Sequence, residues 1–518
     1  MNFAGLDVGT TGAKAIVVDE SGSIVASSYQ SYPLITPFDG WCELNPNDVW
    51  SACKRVLSAV SLQLSGDYVS LAVSSHAQAV VPVDRTGNVL YNFIATVDMR
   101  TSNELEFWKK TTEEYEMYLR TGLPFSAIYT ANKLLWIKKH EPVVFESAHR
   151  FFNVQDFINW KLTGIAAIDC SLAGRGMLLN LQTQTWDDQI LDIIGIKKSQ
   201  LSTVLPSGSV IGSPLQSVAS ELNLNSKLII VSGGHDQTCG CIGSGVVHPG
   251  QVMNSTGTVE VFQHISPKFI TDREILKYHY PCTPYIIGNT YLVMSINNSG
   301  GLLLQWYLNT FCQYEKQKAI FQNVDPYDYV IDSSSEKASN VFFLPHLNGA
   351  ETPYQDSDSA CSIVHMRTNT SKADITRGLL DSMAYEMKLN LETFSKIGCN
   401  TKEIRAIGGG ARNSKLLQIK ADVAQVPVIS FDVKEVAALG AAIIGAVGTK
   451  EFSSFDEAIE SMVRPAAVFY PNSSLASEYQ ERYEEYKQLY PALRDFNRTV
   501  SERVKKSIRS RINENGCS

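Results

Sequence analysis

No hydrophobic run in this sequence is long enough to cross a bilayer. The most apolar segment, residues 436–448 (VAALGAAIIGAVG), is short and contains three glycines, whereas a membrane-spanning helix needs about 20 consecutive apolar residues. The opening MNFAGLDVGTTG does not have the basic segment and apolar core of a secretory signal. We therefore expect a cytoplasmic protein without a membrane partner.

Paired cysteines and an excess of basic charge are also missing. The ten cysteines are scattered, and the one close pair, Cys239 and Cys241, has no second pair to match it. This pattern predicts reduced thiols rather than a disulfide framework or a zinc site. Lys and Arg number 45 against 53 Asp and Glu, which gives a net charge of −8. That balance argues against nucleic acid as a partner but allows a small anion bound by backbone amides.

The chain does have enough length and apolar content for more than one core. Its 518 residues are 44% hydrophobic and 19% charged, which is ordinary for a globular protein. Single cores stop growing beyond about 250–300 residues. Two large domains are therefore the default expectation.

Both halves of the chain begin with the same pattern of short segments. Residues 3–9 and 13–19 read as two strands joined by a Gly/Thr turn, and residues 23–32 as a third strand. A helix over residues 47–65, with an asparagine as its N-cap, and a strand over residues 69–75 follow. Alternation of strands and helices predicts an α/β domain.

The second half repeats this order. Residues 251–265 give strand, STGT turn and strand, and later residues 403–407 form a strand that leads through GGG into a helix over residues 413–425. We expect duplicated domains that face one cleft, with the boundary near residue 247. Residues 475–496 are expected to form a charged amphipathic helix on the surface.

The first Gly/Thr turn, 7-DVGTTGAK-14, has the composition of a phosphate-binding loop. Gly9 permits a sharp turn, Thr10 and Thr11 offer hydroxyls and N–H groups, and Lys14 follows as a possible counter-charge. Asp7 ends a buried strand, a place suited to a carboxylate that holds Mg²⁺ through water. The alternative is an ordinary hairpin turn.

Two further turns strengthen the phosphate interpretation. The turn 255-STGT-258 would clamp a phosphate chain from the opposite side, and 408-GGGARNSK-415 joins a strand to a helix with free N–H groups. Close strand–helix packing also explains glycines, so one such turn alone would be weak. Three of them favour a nucleotide.

These motifs together resemble the FGGY carbohydrate kinases. The resemblance rests on LDVGTTGAK, GGHDQTCGCIGSGVV, NSTGT, LPHLNGAETP and GGGARNSKLLQIKADVAQVPV, and it runs from about residue 3 to about residue 470. It implies a two-domain α/β fold of the actin/hexokinase (ribonuclease H-like) type, with ATP and sugar in the interdomain cleft. The implied domains are residues 1–247 for sugar and catalysis, 248–470 for nucleotide, and 471–518 as a C-terminal helix and tail.

The resemblance also assigns roles to particular residues. Asp236 would be the general base that accepts the proton of the sugar hydroxyl, with small neighbours leaving room for the substrate, while Gln237 would bind the sugar and Asp7 would hold Mg²⁺. The alternative for Asp236 is a helix N-cap. ATP phosphates and nucleoside would lie against Gly9, Thr10, Thr11, Lys14, Thr256, Gly257, Thr258, Gly300, Gly409, Gly410 and Asn413.

Sugar recognition departs from the family pattern. Xylulokinases have a Gln-Met-His-Gly type run where this chain has 74-SSHAQAV-80, so His76, Ala77 and Gln78 occupy the substrate-binding positions. A neutral amide suits a polyhydroxyl ligand. The alternative for His76 is a packed histidine at a strand end.

Three other positions bear on the pocket. Trp41, in GWCELNP, could stack on a sugar or simply pack. Asp98 and Arg100 match the family's Asp-x-Arg and are expected to be local scaffolding. Glu351 stands where relatives have an arginine, so no phosphate-binding role is carried over to it.

The leading prediction is an ATP- and Mg²⁺-dependent sugar kinase of the xylulokinase-like branch, and the resemblance implies a homodimer. Gluconate, glycerol, a tetritol or an autoinducer-type molecule remain alternative acceptors. An actin-fold ATPase without sugar transfer and a sugar sensor without catalysis are the competing classes. Against them stand the GGHDQ run and the presence of both Asp7 and Asp236.

Overall fold

A computed structural model describes residues 1–298, 300–433 and 435–515. The N-terminal half contains strands β1 (Asn2–Val8), β2 (Gly12–Asp19), β3 (Ile24–Ser31), β4 (Glu43–Leu44), β5 (Ser70–Ser75), β6 (Val81–Val83), β7 (Phe93–Ile94), β8 (Arg150–Phe152), β9 (Ala167–Asp169), β10 (Leu179–Asn180), β11 (Thr185–Trp186), β12 (Thr203–Leu205), β13 (Val210–Gly212) and β14 (Ile229–His235). Its helices are α1 (Pro46–Gln63), α2 (Ser102–Thr111), α3 (Glu114–Thr121), α4 (Thr130–His140), α5 (Pro142–Ser147), α6 (Val154–Thr163), α7 (Cys170–Ala173), α8 (Asp188–Ile194), α9 (Gln216–Leu222) and α10 (Asp236–Gly243).

The C-terminal half follows the same plan. Its strands are β15 (Gln251–Thr256), β16 (Glu260–Ser266), β17 (Cys282–Pro284), β18 (Tyr291–Asn297), β19 (Phe342–Leu344), β20 (Ser362–Val364), β21 (Glu403–Ile407), β22 (Val428–Phe431) and β23 (Pro465–Phe469). Its helices are α11 (Glu274–Lys277), α12 (Gly301–Phe311), α13 (Gln313–Phe321), α14 (Pro326–Asp332), α15 (Lys372–Lys396), α16 (Ser414–Ala424), α17 (Val436–Gly448), α18 (Phe455–Met462), α19 (Ala476–Tyr486) and α20 (Leu489–Asn515).

The two large sheets share an order of five strands, which is β3-β2-β1-β5-β14 in the first sheet and β18-β16-β15-β21-β22 in the second. The first sheet is β13-β14-β5-β1-β2-β3 and the second is β17-β18-β16-β15-β21-β22-β23. In each sheet, an antiparallel three-stranded meander pairs its first strand with a parallel strand that arrives much later in the chain. The duplicated two-domain α/β fold predicted from the sequence is confirmed, and residue 247 lies in the connection between α10 and β15.

The first hairpin is built from alternating apolar residues. Strands β1 and β2 pair in antiparallel register from Asn2↔Asp19 to Val8↔Ala13, which leaves residues 9–11 as the turn. Helix α1 follows, but its N-cap is Asn45 rather than an asparagine inside the predicted segment. The Asn45 side chain accepts a hydrogen bond from the N–H of Asn47, with Pro46 in the first turn, where its missing N–H costs nothing.

Helix α17 joins the two halves by backbone contact. A Cβ placed on Gly440 would lie 1.8 Å from the carbonyl oxygen of Cys239 in α10, and one on Gly5 of β1 would lie 1.9 Å from the oxygen of Ala438. Only glycine allows so close an approach. Among the described residues, no helix is both long and apolar enough to span a membrane; the apolar α17 has only 13 residues.

The C-terminal segment differs from the sequence prediction. The single helix expected over residues 475–496 is two helices, α19 and α20, that meet at residues 487–488. Tyr479, Tyr483 and Tyr486 of α19 are buried against α15. The segment therefore contributes to the core of the C-terminal half rather than only covering its surface.

Candidate active site

Asp7 and Asp236 lie at the same edge of the first sheet, where the strands β1 and β14 end. Strands β1, β5 and β14 run parallel, so their carboxyl ends meet at one edge. Asp7 is in register with Ser74 of β5, whose hydroxyl donates a 2.7 Å hydrogen bond to Asp7 Oδ1. Asp236 follows β14 directly as the first residue of α10.

Asp7 is held in an environment that disfavours its charge. Burial raises its pKa to about 7, the negative charge of Asp236 adds to this effect, and the Ser74 hydrogen bond opposes it. Two carboxylates near each other without a bound cation repel. A divalent cation or a positively charged side chain would relieve that repulsion.

Asp236 has the opposite tendency. Burial alone would raise its pKa, but the positive charge and hydrogen bond of His235 outweigh it, so the pKa lies below the usual value. His235 Nε2 lies 2.9 Å from Asp236 Oδ1, and the N–H of Gln237 donates to the same oxygen at 2.6 Å. The N-cap position is occupied by His235. Asp236 is thus a carboxylate inside the first turn, where the helix dipole also favours negative charge.

The glycines before Asp236 allow close packing within the first sheet. A Cβ on Gly233 would lie 2.1 Å from the carbonyl oxygen of Val73 in β5, and one on Gly234 would lie 3.0 Å from Cys239 Sγ. The pairing of β14 with β5 shifts register between Val231 and Gly234. Close approach of two backbones at this irregularity therefore requires the small residues.

Three buried polar atoms in the segments 76–78 and 236–237 have no hydrogen-bond partner among the described residues. The Nε2 atoms of His76 and Gln78 and the Oε1 atom of Gln237 are buried and have no hydrogen-bond partner in the described chain. His76 Nδ1 contacts Thr96 Oγ1 at 3.1 Å. Burial lowers the pKa of His76 to about 4, although the charge of Asp236 opposes that shift. A neutral imidazole and two amides are thus free to bind hydroxyl groups.

Lys133 fixes the loop that carries these groups. The lysine is fully buried, and its Nζ donates to the carbonyl oxygens of Gln78 at 3.0 Å and Ala95 at 2.7 Å. Thr96 in turn donates to the carbonyl of Ala77. Gln78 has a φ of 65°, in the left-handed region that non-glycine residues seldom adopt. The lysine stabilises this backbone from α4, and burial lowers its pKa to about 7.

Trp41 lies against a buried ion-pair network. The Arg100 guanidinium lies 3.7 Å from the centroid of the Trp41 ring, within cation–π range. Arg100 Nη2 lies 2.7 Å from Asp98 Oδ2 and 2.8 Å from Glu43 Oε1. One face of Trp41 is therefore occupied by Arg100, in keeping with scaffolding by Asp98 and Arg100.

The first glycine turn is closed by its own backbone. The N–H of Gly9 donates to the carbonyl of Gly12 at 3.0 Å, and the carbonyl of Thr11 accepts from the N–H of Tyr32 at 3.1 Å. Thr10 and Thr11 lie at the tip and are at least partly exposed. Lys14, expected to meet a phosphate, forms an ion pair with Glu435, the residue that precedes α17. Its ammonium group is thus already paired with a carboxylate at the edge of this turn.

The second turn is supported from both sides. The N–H of Gly257 donates to Val259 at 3.0 Å, and the N–H of Gly301 donates to the carbonyl of Gly257 at 2.7 Å. A Cβ on Gly300, the N-cap of α12, would lie 2.7 Å from the carbonyl carbon of Val259. The start of α12 is thereby placed against residues 257–259.

Lys420 is a buried lysine beneath this turn, and the sequence analysis did not predict a role for it. Lys420 of α16 donates to Asn254 Oδ1 at 2.8 Å and to Thr256 Oγ1 at 3.1 Å, and it pairs with Glu260. The side chains of Lys420 and Glu260 are fully buried. This network ties the turn to the helix that follows the GGG segment.

A cavity of about 380 Å³ opens between these elements, within the usual size range for a small-ligand site. Its lining includes six of the predicted nucleotide-binding residues: Thr256, Gly257, Thr258, Gly409, Gly410 and Asn413. Apolar Leu304, Ile331 and Leu416 and the ring of Tyr327 complete a surface suited to a flat base. Asn413 caps α16 through its Oδ1, which accepts from Leu416 N at 3.0 Å, while its Nδ2 donates to Asp328 at 2.9 Å.

The comparison with family models agrees with this geometry. Residues 3–243 match the model of the FGGY family of carbohydrate kinases, N-terminal domain, and residues 252–449 match its C-terminal domain. The chain belongs to the FGGY family of carbohydrate kinases. Xylulose kinase of Bacillus subtilis (strain 168) is 28% identical over 95% of this chain and 97% of its own length.

Other FGGY kinases are similar over nearly the whole length. Gluconokinase of Bacillus subtilis (strain 168) is 26% identical over 92% of this chain and 93% of its own. The crystal structure of xylulose kinase from Rhodospirillum rubrum superimposes with a TM-score of 0.87 at 24% identity, covering 96% of this chain and all of that one. The family and the fold predicted from the motifs are confirmed.

The loop over residues 349–353, in which Glu351 departs from the FGGY pattern, is held by hydrogen bonds of Glu351. Glu351 Oε1 accepts from Asn298 Nδ2 at 3.4 Å, and Glu351 Oε2 accepts from Gln355 Nε2 at 3.0 Å. The carboxylate therefore links this loop to the end of β18.

Metal ligands are sparse in this kinase. Among the described residues, no group of three or more His, Cys, Asp or Glu side chains could hold a metal ion. The cysteines there are free, and both Cys239 and Cys241 are buried in α10. A cation at Asp7 would need additional ligands from water or from a bound phosphate chain.

Proposed function

We propose that this FGGY kinase transfers the γ-phosphoryl group of ATP to a hydroxyl of a sugar or a related polyhydroxy compound, with Asp236 as general base. The observation that carries the proposal is the placement of an ionised Asp236 beside the unpartnered atoms of His76 and Gln237. A general base must be ionised at the working pH and close to the proton that it accepts.

The acceptor would bind on the N-terminal side. Its hydroxyls would meet His76, Gln78 and Gln237, each of which has a buried polar atom without a hydrogen-bond partner among the described residues. Ala77 leaves this surface without a large side chain. The reacting hydroxyl then lies against Asp236, which accepts its proton as the oxygen attacks the γ-phosphorus and ADP leaves.

The nucleotide would bind on the C-terminal side. Adenine enters the cavity beside Tyr327 and Leu416, and the phosphate chain extends over Thr256–Gly257–Thr258 toward Gly9, Thr10 and Thr11 of the first turn. Lys14 exchanges its ion pair with Glu435 for the phosphate chain. We assign acceptor binding to residues 1–247 and nucleotide binding to residues 248–470.

Asp7 is the candidate cation ligand. Its raised pKa and its repulsion by Asp236 fit a position that is stabilised when a divalent cation is bound. Mg²⁺ held there through water would neutralise charge on the phosphate chain. Ser74 orients the Asp7 carboxylate for this role through its hydrogen bond.

The acceptor class is tested by ADP release with a coupled assay. The purified chain is mixed with Mg·ATP and, separately, with pentuloses, aldonates, glycerol and tetritols. We expect ADP release that depends on one acceptor class and a phosphorylated product of matching amount. Hydrolysis of ATP at the same rate with and without every acceptor would instead indicate an ATPase.

A further inference from the structure

Arg175 is a buried cation that the sequence analysis did not single out. It lies in the loop after α7, and only 6% of its surface is exposed. Its Nε has no hydrogen-bond partner, and its guanidinium forms no ion pair with a carboxylate, among the described residues. Buried arginines are otherwise almost always paired.

The fold brings this loop to the acceptor side of the site. Ser171 of α7 accepts a hydrogen bond from the N–H of His235 at 3.1 Å, so α7 is attached to the junction that carries Asp236. The carbonyl of Gly176 accepts from the N–H of Ala131 at 3.0 Å, which attaches the other end of the loop to α4. Arg175 therefore lies between the start of α4 and the start of α10.

The groups that act electrostatically on Arg175 agree with this position. Burial lowers its pKa, and Tyr129 and Asp236 oppose the shift. Thr130 Oγ1, at the start of α4, is also buried and has no hydrogen-bond partner in the part of the chain that the structure describes. Arg175 is thus close enough to Asp236 to interact with it electrostatically.

Neutral hydroxyls would leave the Arg175 guanidinium without a hydrogen-bonded anion. The imidazole and the amides already supply donors and acceptors for hydroxyl groups, and they carry no charge. A buried charged group is stabilised when it forms hydrogen bonds to a group of opposite charge. Its planar fork matches a carboxylate, which accepts two parallel hydrogen bonds.

We infer that Arg175 binds a carboxylate of the acceptor, so that the preferred substrates of this kinase are aldonates rather than neutral ketoses or polyols. This inference rests on the proposed sugar-kinase function. The Arg175 guanidinium would pair with the acid end of the substrate, and His76, Gln78 and Gln237 would bind its hydroxyls. The reacting hydroxyl would remain at Asp236.

The test compares acceptors of one carbon skeleton. Initial rates of ADP release are measured with D-xylonate, D-xylulose and xylitol, and separately with D-gluconate, D-fructose and sorbitol. For wild type, we expect kcat/KM to be at least about tenfold higher for the aldonate in one of these series. Arg175→Met should lower kcat/KM for that aldonate about 100-fold, mainly through KM, because hydrogen bonds to charged groups contribute about 1.5–3 kcal/mol.

Two matched variants separate binding from folding. Arg175→Lys keeps the charge and should recover part of the aldonate affinity. Arg150→Met removes an arginine from β8 that donates to the carbonyl of Leu201 at 3.2 Å, and it should leave aldonate selectivity unchanged. Thermal unfolding and the KM for ATP check that each variant is folded.

The failures are distinguishable. Acceptor-dependent ADP release that favours ketoses or polyols in the wild type would overturn the role of Arg175 and leave the kinase function standing. Equal losses of kcat with every acceptor in Arg175→Met, at unchanged KM, would also overturn it, because the residue would then act on phosphoryl transfer. Absence of ADP release with all acceptors would overturn both proposals.

Discussion

The imidazole of His235 and the carboxylate of Asp236 are neighbours in sequence, and their Nε2 and Oδ1 atoms lie 2.9 Å apart where β14 ends and α10 begins. The pair keeps the pKa of Asp236 below its usual value although burial acts in the opposite direction. A base of this kind is ionised over the whole neutral range. Its strength as a base is correspondingly modest, so its contribution depends on position.

Replacing His235 with leucine should make activity more sensitive to acid. Without the imidazole the pKa of Asp236 rises, so the carboxylate is protonated at a higher pH as the pH falls. The acid limb of kcat/KM against pH should therefore move to higher pH, while the His235→Gln variant, which keeps a hydrogen-bond donor, should move less. Superimposable pH profiles for wild type and His235→Leu would contradict this coupling.

Replacing Asp236 with asparagine should abolish turnover without loss of nucleotide binding. General base catalysis contributes about 10²–10⁴-fold, so we expect kcat to fall by at least about 10²-fold. The thermal shift caused by Mg·ATP should be unchanged, because Asp236 does not line the nucleotide cavity. Asp192→Asn, at an exposed position of α8, is the control, and near-normal kcat in Asp236→Asn would remove the base role.

The ion pair between Lys14 and Glu435 should compete with nucleotide binding. Glu435→Gln frees the ammonium group, so the KM for ATP should fall a few-fold, since partly exposed ion pairs contribute about 1 kcal/mol or less. Lys14→Met should raise it about tenfold. Steady-state kinetics at saturating acceptor measure both effects, and equal changes in the two variants would argue that the pair serves only stability.

A methyl group at Gly410 should narrow the nucleotide cavity. The added Cβ would lie 2.5 Å from Thr256 Cγ2, so the second phosphate turn must shift. We expect Gly410→Ala to raise the KM for ATP about tenfold and to leave the KM for the acceptor unchanged. Gly288→Ala, whose Cβ would meet nothing within 4 Å, should change neither constant.

Asp156 should make stability depend on pH. It is buried in α6, its Oδ2 accepts from Ser202 at 2.6 Å, and its Oδ1 has no partner among the residues described. Burial raises its pKa to about 7. The folded chain thus retains a proton that the unfolded chain releases, so stability present below pH ~4 is lost as the pH rises to ~7.

Asp156→Asn cannot ionise, so it should remove this pH-dependent loss of stability. Denaturant unfolding should give Asp156→Asn a gain of about 4 kcal/mol over wild type at pH 8, since the pKa is raised from 3.8 to about 7 and each pKa unit corresponds to about 1.4 kcal/mol. The gain should shrink at pH 5. A difference that does not vary between the two pH values would show that Asp156 is already charged in the folded state.

Local sequence patterns were sufficient for the elements that carry the site. The alternation in residues 3–9 and 13–19 fixes a hairpin because its two strands are neighbours in the chain, and the turn at 255–258 follows from the same rule. Asp236 could be recognised because an apolar strand ends in glycines and an acid. The reason for those glycines could not be predicted, since they pack against the backbone of Val73, which is far away in the chain.

Contacts between residues far apart in the chain could not be predicted from the sequence. Lys14 meets Glu435 and Lys420 meets Glu260 only after the sheets have formed. Arg175 shows no local motif, and its significance comes from a buried Nε that has no hydrogen-bond partner among the residues described by the structure. No periodicity or spacing in a single sequence encodes such relationships.

The glycine contacts of α17 restrict how the cleft can close. Gly440 touches the backbone of Cys239, and Gly243 of α10 touches Val436 so closely that an added Cβ would lie 2.0 Å from its oxygen. Helices in backbone contact can rotate about their crossing point, but they cannot approach further. We therefore expect the crossing of α10 and α17 to stay fixed when the two halves move, so that Asp236, at the start of α10, moves less than the glycine turns.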